Sequence, residues 1–382
     1  MKRVLISNIF SYIILSLVLL GGSLYFLYRA DTGIKRTPWI KTENTAFIKE
    51  GKPFRFIGAN AVNIVFYDDW GLDIEKAIRA SRKNNISVLR IYLDWGWAKD
   101  EDIDRIIDIS RRNRTHLILT LTDCCCSGDH ASLEKYFYVH APFCNLTNKQ
   151  CILAFKRRIK QIITRRNSVN GIIYRDDPTI LAWEIANELE YRRFSHGEVK
   201  HWIEEISNYI KSLDGRHLLT IGLSIGESDL KNYPRLPQLF DAFNIDFFSV
   251  HFYASSRQQG EPVYRLKDNY PEQLRSLVDA FLMIGKPVII GEFGLSDSGD
   301  FNYKMRKDPQ SKSRYSLVFK EAMDAAFSAG ASGVMFWGWG IPEEECVPMW
   351  WNNESHNQDD KEFCFLLRNY VMPQTKYYNG RP

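Results

Sequence analysis

The sequence has little excess of charge of either sign. Its 382 residues include 50 basic and 46 acidic side chains, so the formal net charge is only +4. A strong basic field of the kind that holds nucleic acid is therefore missing, and we expect no nucleic-acid partner. The densest basic stretch, residues 155–166, has apolar residues at helical spacing, which favours a solvated helix face; contact with anionic lipid is the alternative.

Several local motifs of known enzyme classes are also missing. The sequence contains no HExxH motif and no glycine-rich loop of the kind that cradles phosphate. The GEFG segment at 291–294 lacks the third glycine of a dinucleotide-binding loop. Cysteine and histidine pairs at zinc-ligand spacing are absent as well. Other nucleophilic schemes are therefore disfavoured, and we expect no metal and no cofactor.

The seven cysteines fit an exported protein better than a cytosolic one, although their odd number leaves one thiol unpaired in the simplest scheme. Local disulfides between Cys144 and Cys151 and between Cys346 and Cys364 are plausible. The partners of the triplet at 124–126 cannot be assigned from the sequence.

Charge is entirely absent from one long segment near the start of the chain. Lys2 and Arg3 precede an uncharged run from about Ile9 to Tyr28, close to the ~20 residues that cross a bilayer. A cleaved signal peptide has a shorter apolar region and a small-residue cleavage site, so an uncleaved signal-anchor over residues 1–28 is favoured over a removed signal. We expect the folded part to be membrane-anchored on the extracytoplasmic side, or secreted if the segment is cleaved.

Residues 29–44 are predicted to be a tether and residues 45–382 a single domain, which begins with a hairpin around Glu50 and Gly51. Eight apolar runs follow, at 54–60, 86–94, 116–123, 180–188, 217–224, 247–253, 287–294 and 333–340. Helical patterns fill the gaps at about 72–84, 101–112, 149–167, 197–213, 270–284 and 312–329, and more weakly at 229–243. Strands joined by helical crossovers predict a parallel sheet. Eight of them predict an α/β fold, a closed (β/α)8 TIM barrel preceded by a transmembrane or signal segment.

Polar and aromatic residues stand at the ends of these runs, where the strand-to-helix loops of such a barrel form its functional face. They are Asn60, Asn63, Arg90, Asp94, Asp123, Asn187, Glu188, His251, Tyr253, Glu292, Trp337 and Trp339. A single residue of this kind could simply meet water, but the whole set falls in register. The barrel would also bring the two glutamates, far apart in sequence, to one site. Paired carboxyl groups of this kind are what carbohydrate cleavage needs.

Four segments resemble glycoside hydrolase family 5 and, within it, the endo-β-1,4-mannanase branch. They are DDPTILAWEIANE (176–188), HFY (251–253), KPVIIGEFG (286–294) and GVMFWGWG (333–340), and the similarity spans about residues 45–340. The resemblance implies that Glu188 is the general acid/base and Glu292 the nucleophile of a retaining hydrolase. Physical chemistry asks for the same division, because retaining hydrolysis needs two carboxyl groups about 5 Å apart, one protonated and one ionised.

The resemblance also implies a set of supporting residues: Arg90, Asn187, His251, Tyr253 and Trp337. Arg90 and Tyr253 would keep Glu292 charged, and Asn187 would bond the sugar 2-hydroxyl. His251 would orient the acid/base, with a merely structural histidine as the alternative, and Trp337 would form the floor under the sugar at the cleavage point. Further tryptophans could extend this platform, although core or lid packing is the default for a large aromatic ring: Trp70, Trp95, Trp97, Trp339, Trp350 and Trp351.

Three segments depart from the family pattern. Leu189 stands where proline commonly follows the acid, the third run ends in LTDCCC, and residues 341–355 have no counterpart that can be aligned. These differences concern the choice of substrate more than the cleavage of the bond.

The sequence therefore predicts a retaining β-glycoside hydrolase of endo-β-1,4-mannanase type, acting on β-mannan or a related β-glycan. The same machinery acting on β-glucan, an oligosaccharide or a glycolipid is one alternative. A catalytically silent carbohydrate-binding barrel is another, but it predicts the loss of at least one of the seven site residues, and none is lost. The expected partners are a polysaccharide or oligosaccharide and, through the N-terminal segment, a membrane. We expect a monomer.

Overall fold

The computed structural model describes residues 37–66, 73–93, 99–124, 145–226, 229, 231, 235–257, 264–266, 269–294, 309–339 and 358–374. A compact unit begins at Pro38. Its first element is a three-stranded antiparallel sheet formed by β1 (Ile40–Glu43), β2 (Ala46–Lys49) and β3 (Lys52–Phe54). The turn between β2 and β3 places Glu50 and Gly51 at positive φ, so the predicted hairpin is confirmed, and β1 extends it within the segment predicted as a tether.

The main sheet is a nearly closed barrel of nine described parallel strands, preceded by this small sheet. Its strands are β4 (Phe56–Asn60), β5 (Ile86–Tyr92), β6 (His116–Thr120), β7 (Ile180–Glu184), β8 (Leu218–Thr220), β9 (Gly222–Ser224), β10 (Phe248–His251), β13 (Val288–Phe293) and β14 (Gly333–Phe336). The remaining two strands, β11 (Ser255–Arg257) and β12 (Tyr264–Leu266), form a separate antiparallel pair. Each of the eight predicted runs contains strand residues of the barrel.

The two ends of the strand order, β8 and β9, are one stretch of chain interrupted at Ile221. β8 pairs with β7 on one side, whereas β9 pairs with β10 on the other. The fifth predicted run therefore supplies both ends of the ordered sheet. This arrangement is consistent with an eight-fold (β/α)8 barrel.

The α-helices of the described residues separate the strands as the sequence pattern predicts. They are α1 (Ile74–Lys83), α2 (Asp100–Arg112), α3 (Lys149–Ile163), α4 (His196–Leu213), α5 (Leu236–Phe240), α6 (Tyr270–Leu282), α7 (Pro309–Ala329) and α8 (Gln358–Asn369). Ser195 starts α4 with a capping box, since its side chain accepts from the Glu198 backbone while Glu198 bonds back. The weak pattern at 229–243 yields only the five-residue α5.

Apolar side chains close the N-terminal end of the barrel. Phe47 of the first sheet is fully buried, and its ring centroid lies 6.1 Å from that of Phe56 and 5.0 Å from that of Phe247. Ile40 belongs to the same cluster, together with Val88, Ile118, Leu181, Ala182, Leu218, Ile289 and Met335 from the strands. Because this apolar cluster fills the N-terminal end of the barrel, polar groups are left to the opposite end, at the C-terminal ends of the strands.

Some predictions concern residues outside the described part of the chain. These include the uncharged run at 9–28, Asp94, five of the six further tryptophans and the segment 341–355. Within the described residues, no helix is both long and apolar enough to cross a bilayer. Cys124 and Cys364 are disulfide-bonded, but Cys151 carries a free thiol, so the predicted Cys144–Cys151 disulfide is wrong.

Candidate active site

All seven predicted site residues lie within the described chain, at or just beyond the C-terminal ends of barrel strands. Arg90 is on β5, His251 ends β10, and Glu292 is on β13. The other four lie within four residues of a strand end: Asn187 and Glu188 after β7, Tyr253 after β10, and Trp337 after β14. The common direction of parallel strands brings these positions to one end of the barrel. Each of them except Trp337 has a side-chain hydrogen bond to another member of the group.

Glu292 lies at the centre of this group and is 3% exposed. Its Oε1 accepts hydrogen bonds from Arg90 Nη1 at 2.6 Å and from the Tyr92 hydroxyl at 3.0 Å. Its Oε2 accepts from the Tyr253 hydroxyl at 2.7 Å. A cation and two hydroxyl donors thus fix both oxygens of the carboxylate. The predicted contacts of Arg90 and Tyr253 with Glu292 are present.

Glu188 faces Glu292 across His251. Its Oε1 lies 3.0 Å from His251 Nδ1, and the same nitrogen lies 3.3 Å from Glu292 Oε1. Glu188 and Glu292 each have an oxygen within 4.8 Å of the other. This spacing matches the ~5 Å separation of retaining glycosidases and is too short for the water that inverting enzymes place between their carboxyl groups.

The backbone of Glu188 is in the left-handed region, with φ of +44°. A side chain other than glycine pays about 1 kcal/mol or more for this conformation, and such residues concentrate at functional sites. The chain that follows β7 therefore turns sharply at Glu188. Its side chain keeps partial exposure, 17%, whereas the His251 side chain beside it is fully buried.

His251 is a neutral donor in this arrangement. Burial, its largest cause, lowers the pKa of His251 to about 4, although the negative charge of Glu292 opposes the shift. Both oxygens near Nδ1 are acceptors, so we assign the ring proton to Nδ1. Within the described residues, the buried Nε2 has no hydrogen-bond partner. The imidazole therefore donates its N–H to Glu188, and the same nitrogen lies 3.3 Å from Glu292 Oε1.

Asn187 is held from two sides. Its Oδ1 accepts from Arg90 Nη2 at 2.7 Å, and its Nδ2 donates to Asp123 Oδ1 at 2.8 Å. A parallel β-bridge between Asn187 and Asp123 extends the pairing of β6 with β7 past the ends of both strands. The amide is 4% exposed and lies directly next to Glu188 in the chain.

A β-bulge at Gly291 determines which residue of β13 faces His251. Val250 pairs with Ile290, but His251 pairs with Glu292, so Gly291 is the extra residue. A Cβ at Gly291 would stand 2.1 Å from Ser249 Oγ and 3.1 Å from His251 Nε2. Glycine is therefore required where the two strands approach. Bulges of this kind re-aim side chains at active sites.

The pKa of Glu292 is raised, not lowered. Burial is the largest cause, and the negative charge of Glu188 acts in the same direction, whereas His251, Arg90 and the Tyr253 hydrogen bond oppose it. The sequence-based expectation that this carboxylate stays charged identified its partners but left out the cost of burial. The net effect is a carboxyl group less acidic than an ordinary glutamate.

Two important contacts were not predicted from the sequence. Tyr92 lies two residues after Arg90 on β5, hence on the same face of the strand, and bonds Glu292. Glu184 is a third glutamate, fully buried, which accepts hydrogen bonds from Arg90. The only sequence signal for Glu184 is an acid at the end of the otherwise apolar run ILAW.

The two tryptophans of the eighth run have different surroundings. Trp337 is partly exposed, and its ring centroid lies 6.3 Å from that of Tyr92, at the edge of the carboxylate cluster. Trp339 is 2% exposed, packs against Phe336 at 6.1 Å and donates from Nε1 to the Ala77 carbonyl. Trp339 is therefore a core residue, as the default interpretation of a large aromatic side chain expects.

Glu188, His251 and Glu292 are also the described group whose ligand atoms lie close enough together for a metal ion. Cleavage with two carboxyl groups has no need of a metal or an organic cofactor. The expectation of no metal and no cofactor stays a prediction.

Comparisons with known proteins point to one family. A family model described as GH family 5 beta-mannosidase-like matches residues 91–361. Mannan endo-1,4-beta-mannosidase 4 of Solanum lycopersicum is 30% identical over 337 residues, 78% of this chain and 82% of the relative. Mannan endo-1,4-beta-mannosidase 5 of Arabidopsis thaliana is 26% identical and covers 80% of both chains.

A solved structure shares the fold. The endo-1,4-beta-mannanase of Rhizomucor miehei superposes with a TM-score of 0.61 at 24% sequence identity, covering 78% of this chain and 90% of that one. The family match covers most of the barrel and includes Glu188, Glu292 and the other site residues beyond position 90. The chain therefore belongs to glycoside hydrolase family 5, in the group described as beta-mannosidase-like.

Proposed function

We propose that this protein hydrolyses β-1,4-mannosidic bonds in a mannan-type polysaccharide, with retention of anomeric configuration. The observation that carries the proposal is the pair Glu188 and Glu292, which face each other within 4.8 Å around one histidine nitrogen. This spacing suits double displacement. The matched relatives are named as mannan endo-1,4-beta-mannosidases, which supports mannan as the substrate class.

In the first step, Glu292 attacks the anomeric carbon while Glu188 gives its proton to the departing glycosidic oxygen. Glu292 is suited to attack because Arg90 and Tyr253 hold one oxygen each and so aim the carboxylate. Glu188 is suited to proton transfer because its side chain keeps access to the site opening, where a leaving sugar would lie. The buried Glu292 is thus suited to the role of nucleophile, and the partly exposed Glu188 to the role of acid.

In the second step, Glu188 removes a proton from water, which then releases the sugar from Glu292. Asn187 is positioned next to the acid to bond the sugar 2-hydroxyl, a contact that strengthens in the oxocarbenium-like transition state. The partly exposed ring of Trp337 next to Tyr92 offers a flat apolar surface to the C–H face of a sugar. His251 orients Glu188 through Nδ1.

The same site could process β-glucan, an oligosaccharide or a glycolipid, because the site residues described above cleave the glycosidic bond and do not determine which sugar is bound. A silent binding barrel has less support, since Arg90 and Tyr253 donate to Glu292 and His251 donates to Glu188, so both carboxylates have their partners. Endo action is proposed from the relatives' names alone.

The test is a panel of mannan, glucomannan, cellulose and mixed-linkage β-glucan, with the anomer of the first product read by NMR. We expect cleavage of the two mannose-containing polymers and a β-anomer that later mutarotates. An α-anomer as the first product would overturn retention. Preferred cleavage of cellulose would overturn the choice of mannan but leave the roles of Glu188 and Glu292 intact.

We further propose that residues 1–28 anchor the protein in a membrane, with a monomeric barrel on the extracytoplasmic side. The support is the uncharged run from Ile9 to Tyr28 and the disulfide-bonded state of Cys124 and Cys364, which fits an oxidising compartment. Alkaline carbonate extraction of membranes from cells that make the full chain tests the anchor. The protein should stay in the membrane pellet, and release into the supernatant would contradict an uncleaved anchor.

A further inference from the structure

Glu184, the third glutamate of the cluster, has no part in the proposed chemistry. It ends β7, and its side chain is fully buried. Its Oε1 accepts hydrogen bonds from Arg90 Nε at 2.9 Å, Arg90 Nη2 at 2.5 Å and Thr120 Oγ1 at 3.0 Å. In the described residues, Oε2 accepts none. Two of the three hydrogen bonds to Glu184 Oε1 therefore come from Arg90.

Arg90 in turn connects Glu184 to the nucleophile. Nε and Nη2 face Glu184, Nη2 also donates to Asn187 Oδ1, and Nη1 donates to Glu292 at 2.6 Å and to Asn60 Oδ1 at 2.7 Å. A guanidinium has five N–H donors in a rigid plane, and these contacts use all of them. The Arg90 side chain therefore cannot change its orientation toward Glu292 without breaking its hydrogen bonds to Glu184.

The charges in this cluster do not balance. One buried cation, Arg90, lies between two buried carboxylates, Glu184 and Glu292. The other titratable groups that face Glu292 add no positive charge near neutral pH: His251 is neutral, and burial raises the pKa of both Tyr92 and Tyr253 well above the ordinary value. Glu188 adds negative charge whenever it is ionised. The attraction of Arg90 is thus divided between its two acidic partners.

The fold leaves room for this ion pair. A Cβ on Gly222 of β9 would stand 3.2 Å from Arg90 Nη2 and 3.2 Å from Glu184 Oε1. The backbone of a neighbouring strand therefore closes over the pair and excludes water from it. Charges interact more strongly at low dielectric. Without water in the site, the way Arg90 divides its attraction between Glu184 and Glu292 therefore strongly affects both carboxylates.

We propose that Glu184 is a positioning residue for the nucleophile: it fixes the Arg90 guanidinium and takes up part of its positive charge, so that Glu292 is aimed without being over-stabilised as an anion. The inference rests on the proposed role of Glu292. A carboxylate that a full, unshared cation held would attack the sugar less readily, because the intrinsic nucleophilicity of an anion that is already ionised falls as it is stabilised.

A purely structural role is the competing explanation. Buried ion pairs often hold elements together, and removal of one partner usually destabilises the protein. Glu184→Gln separates the two explanations, because it keeps the shape and one acceptor oxygen but removes the charge. Arg90 still has Glu292 as its counter-ion in this variant, so no buried cation is left unpaired.

The experiment is the pH dependence of kcat/KM and kcat for Glu184→Gln in the full-length protein on a mannan oligosaccharide. We expect the acidic limb of kcat/KM, which reports ionisation of Glu292, to move down by about one pH unit, because Arg90 then serves Glu292 alone. We expect kcat to fall about tenfold with little change in KM. The thermal midpoint should stay the same or rise, since a surplus buried negative charge has been removed.

A lower thermal midpoint with an unmoved acidic limb would overturn the proposal in favour of the structural role. Thr120→Val is the matched control, since it removes a hydrogen bond to the same Glu184 oxygen without changing charge, and it should leave the limb in place. If Glu184→Gln does not fold, Glu184→Asp can replace it, because the shorter side chain places the negative charge farther from Arg90. This variant should move the acidic limb of kcat/KM in the same direction, but by less. An unmoved limb there also counts against the proposal.

Failure of the underlying function is recognised separately. A 2-deoxy-2-fluoro-mannoside with a good leaving group traps the nucleophile of a retaining enzyme, and peptide mass spectrometry of the wild-type protein should find the label on Glu292. A label on another residue would contradict the proposed function. A label on Glu292 combined with an unchanged pH profile in Glu184→Gln would contradict only the role of Glu184.

Discussion

At the scale of single residues, the two proposed catalytic glutamates differ in their surroundings. Glu292 is buried and bonded by Arg90, Tyr92 and Tyr253, whereas Glu188 touches His251 and keeps a partly exposed side chain. A nucleophile must be aimed, and an acid must exchange protons with leaving group and water. The contacts of each side chain fit these different needs.

Glu188→Ala should separate the two steps of the reaction. We expect activity on unactivated mannan to fall by about 10²- to 10⁴-fold, because the leaving sugar loses its proton donor. Cleavage of an aryl β-mannoside with a good leaving group should keep its first step and show a burst of phenolate in stopped-flow measurements. Unchanged activity on the polymer would show that another group supplies the proton.

Glu292→Ala should abolish turnover of both substrates, with a loss of about 10⁴-fold or more. Added azide should then occupy the space of the missing carboxylate and produce an α-mannosyl azide from the activated substrate, which NMR or mass spectrometry detects. A β-configured azide would assign the nucleophile elsewhere. The circular dichroism spectrum of the variant serves as the folding control.

The two glutamates could be predicted because each stands at the end of an apolar run, and the resemblance to family 5 added their roles and most of their direct partners. Glu184 was missed since a buried strand is apolar on both faces, and the sequence does not say which polar residue inside it has a partner. The upward pKa shift of Glu292 was missed for a related reason: the degree of burial is a property of the folded state.

At the scale of elements, the bulge at Gly291 is the feature that aligns β13 with β10. Residues 287–294 were predicted only as an apolar, strand-like run. The extra residue has no distinct sequence signal, because a glycine in a strand can also mark a turn or a close approach. With a regular register, His251 would pair with Gly291 instead of Glu292. The side chains of β13 would then alternate to the opposite face.

Gly291→Ala should therefore damage both stability and activity. The added methyl group would stand 2.1 Å from Ser249 Oγ, and overpacking of this kind costs about 1–3 kcal/mol. Ser249→Ala combined with Gly291→Ala should recover part of the loss, because the hydroxyl that clashes is gone. Urea unfolding of the wild type, both single variants and the double variant measures the coupling. Strictly additive losses would show that the methyl group clashes elsewhere.

At the scale of the whole molecule, burial of neutral histidines should make stability depend on pH. His116 is 1% exposed, and burial together with the charge of Lys49, 2.9 Å away, lowers its pKa to about 3. In the unfolded chain its pKa is about 6.5. Between these values the unfolded state binds more protons, so stability falls as the pH falls from about 6.5 toward 3.

His116→Gln removes this proton uptake and keeps an acceptor for Lys49. We expect the wild type to lose about 1.4 kcal/mol per pH unit through this residue below pH 6.5, and the variant to lose correspondingly less. Urea unfolding at pH 7 and pH 5 measures the difference. His201→Gln is the matched control, because the His201 side chain is 79% exposed and should not alter the slope. Equal slopes for wild type and His116→Gln would contradict the account.

The barrel as a whole was the most predictable part of the structure. Eight apolar runs at helix-length intervals leave few alternatives to a closed parallel barrel. The interruption of the fifth run at Ile221 and the shortness of α5 were not predicted, since both depend on how neighbouring strands and helices pack. The weak helical pattern at 229–243 was the one place where the sequence already signalled irregular structure.

The N–H of His251, which donates to Glu188 and lies 3.3 Å from Glu292, gives the proposed reaction a built-in order. Once Glu292 has become an ester with the sugar, its oxygens attract a proton only weakly, and the imidazole is left to Glu188 alone. A donor that turns fully toward Glu188 at that moment favours its ionised form, which is the form that must deprotonate water. Completion of the first half of the cycle would thereby prepare the general base for the second.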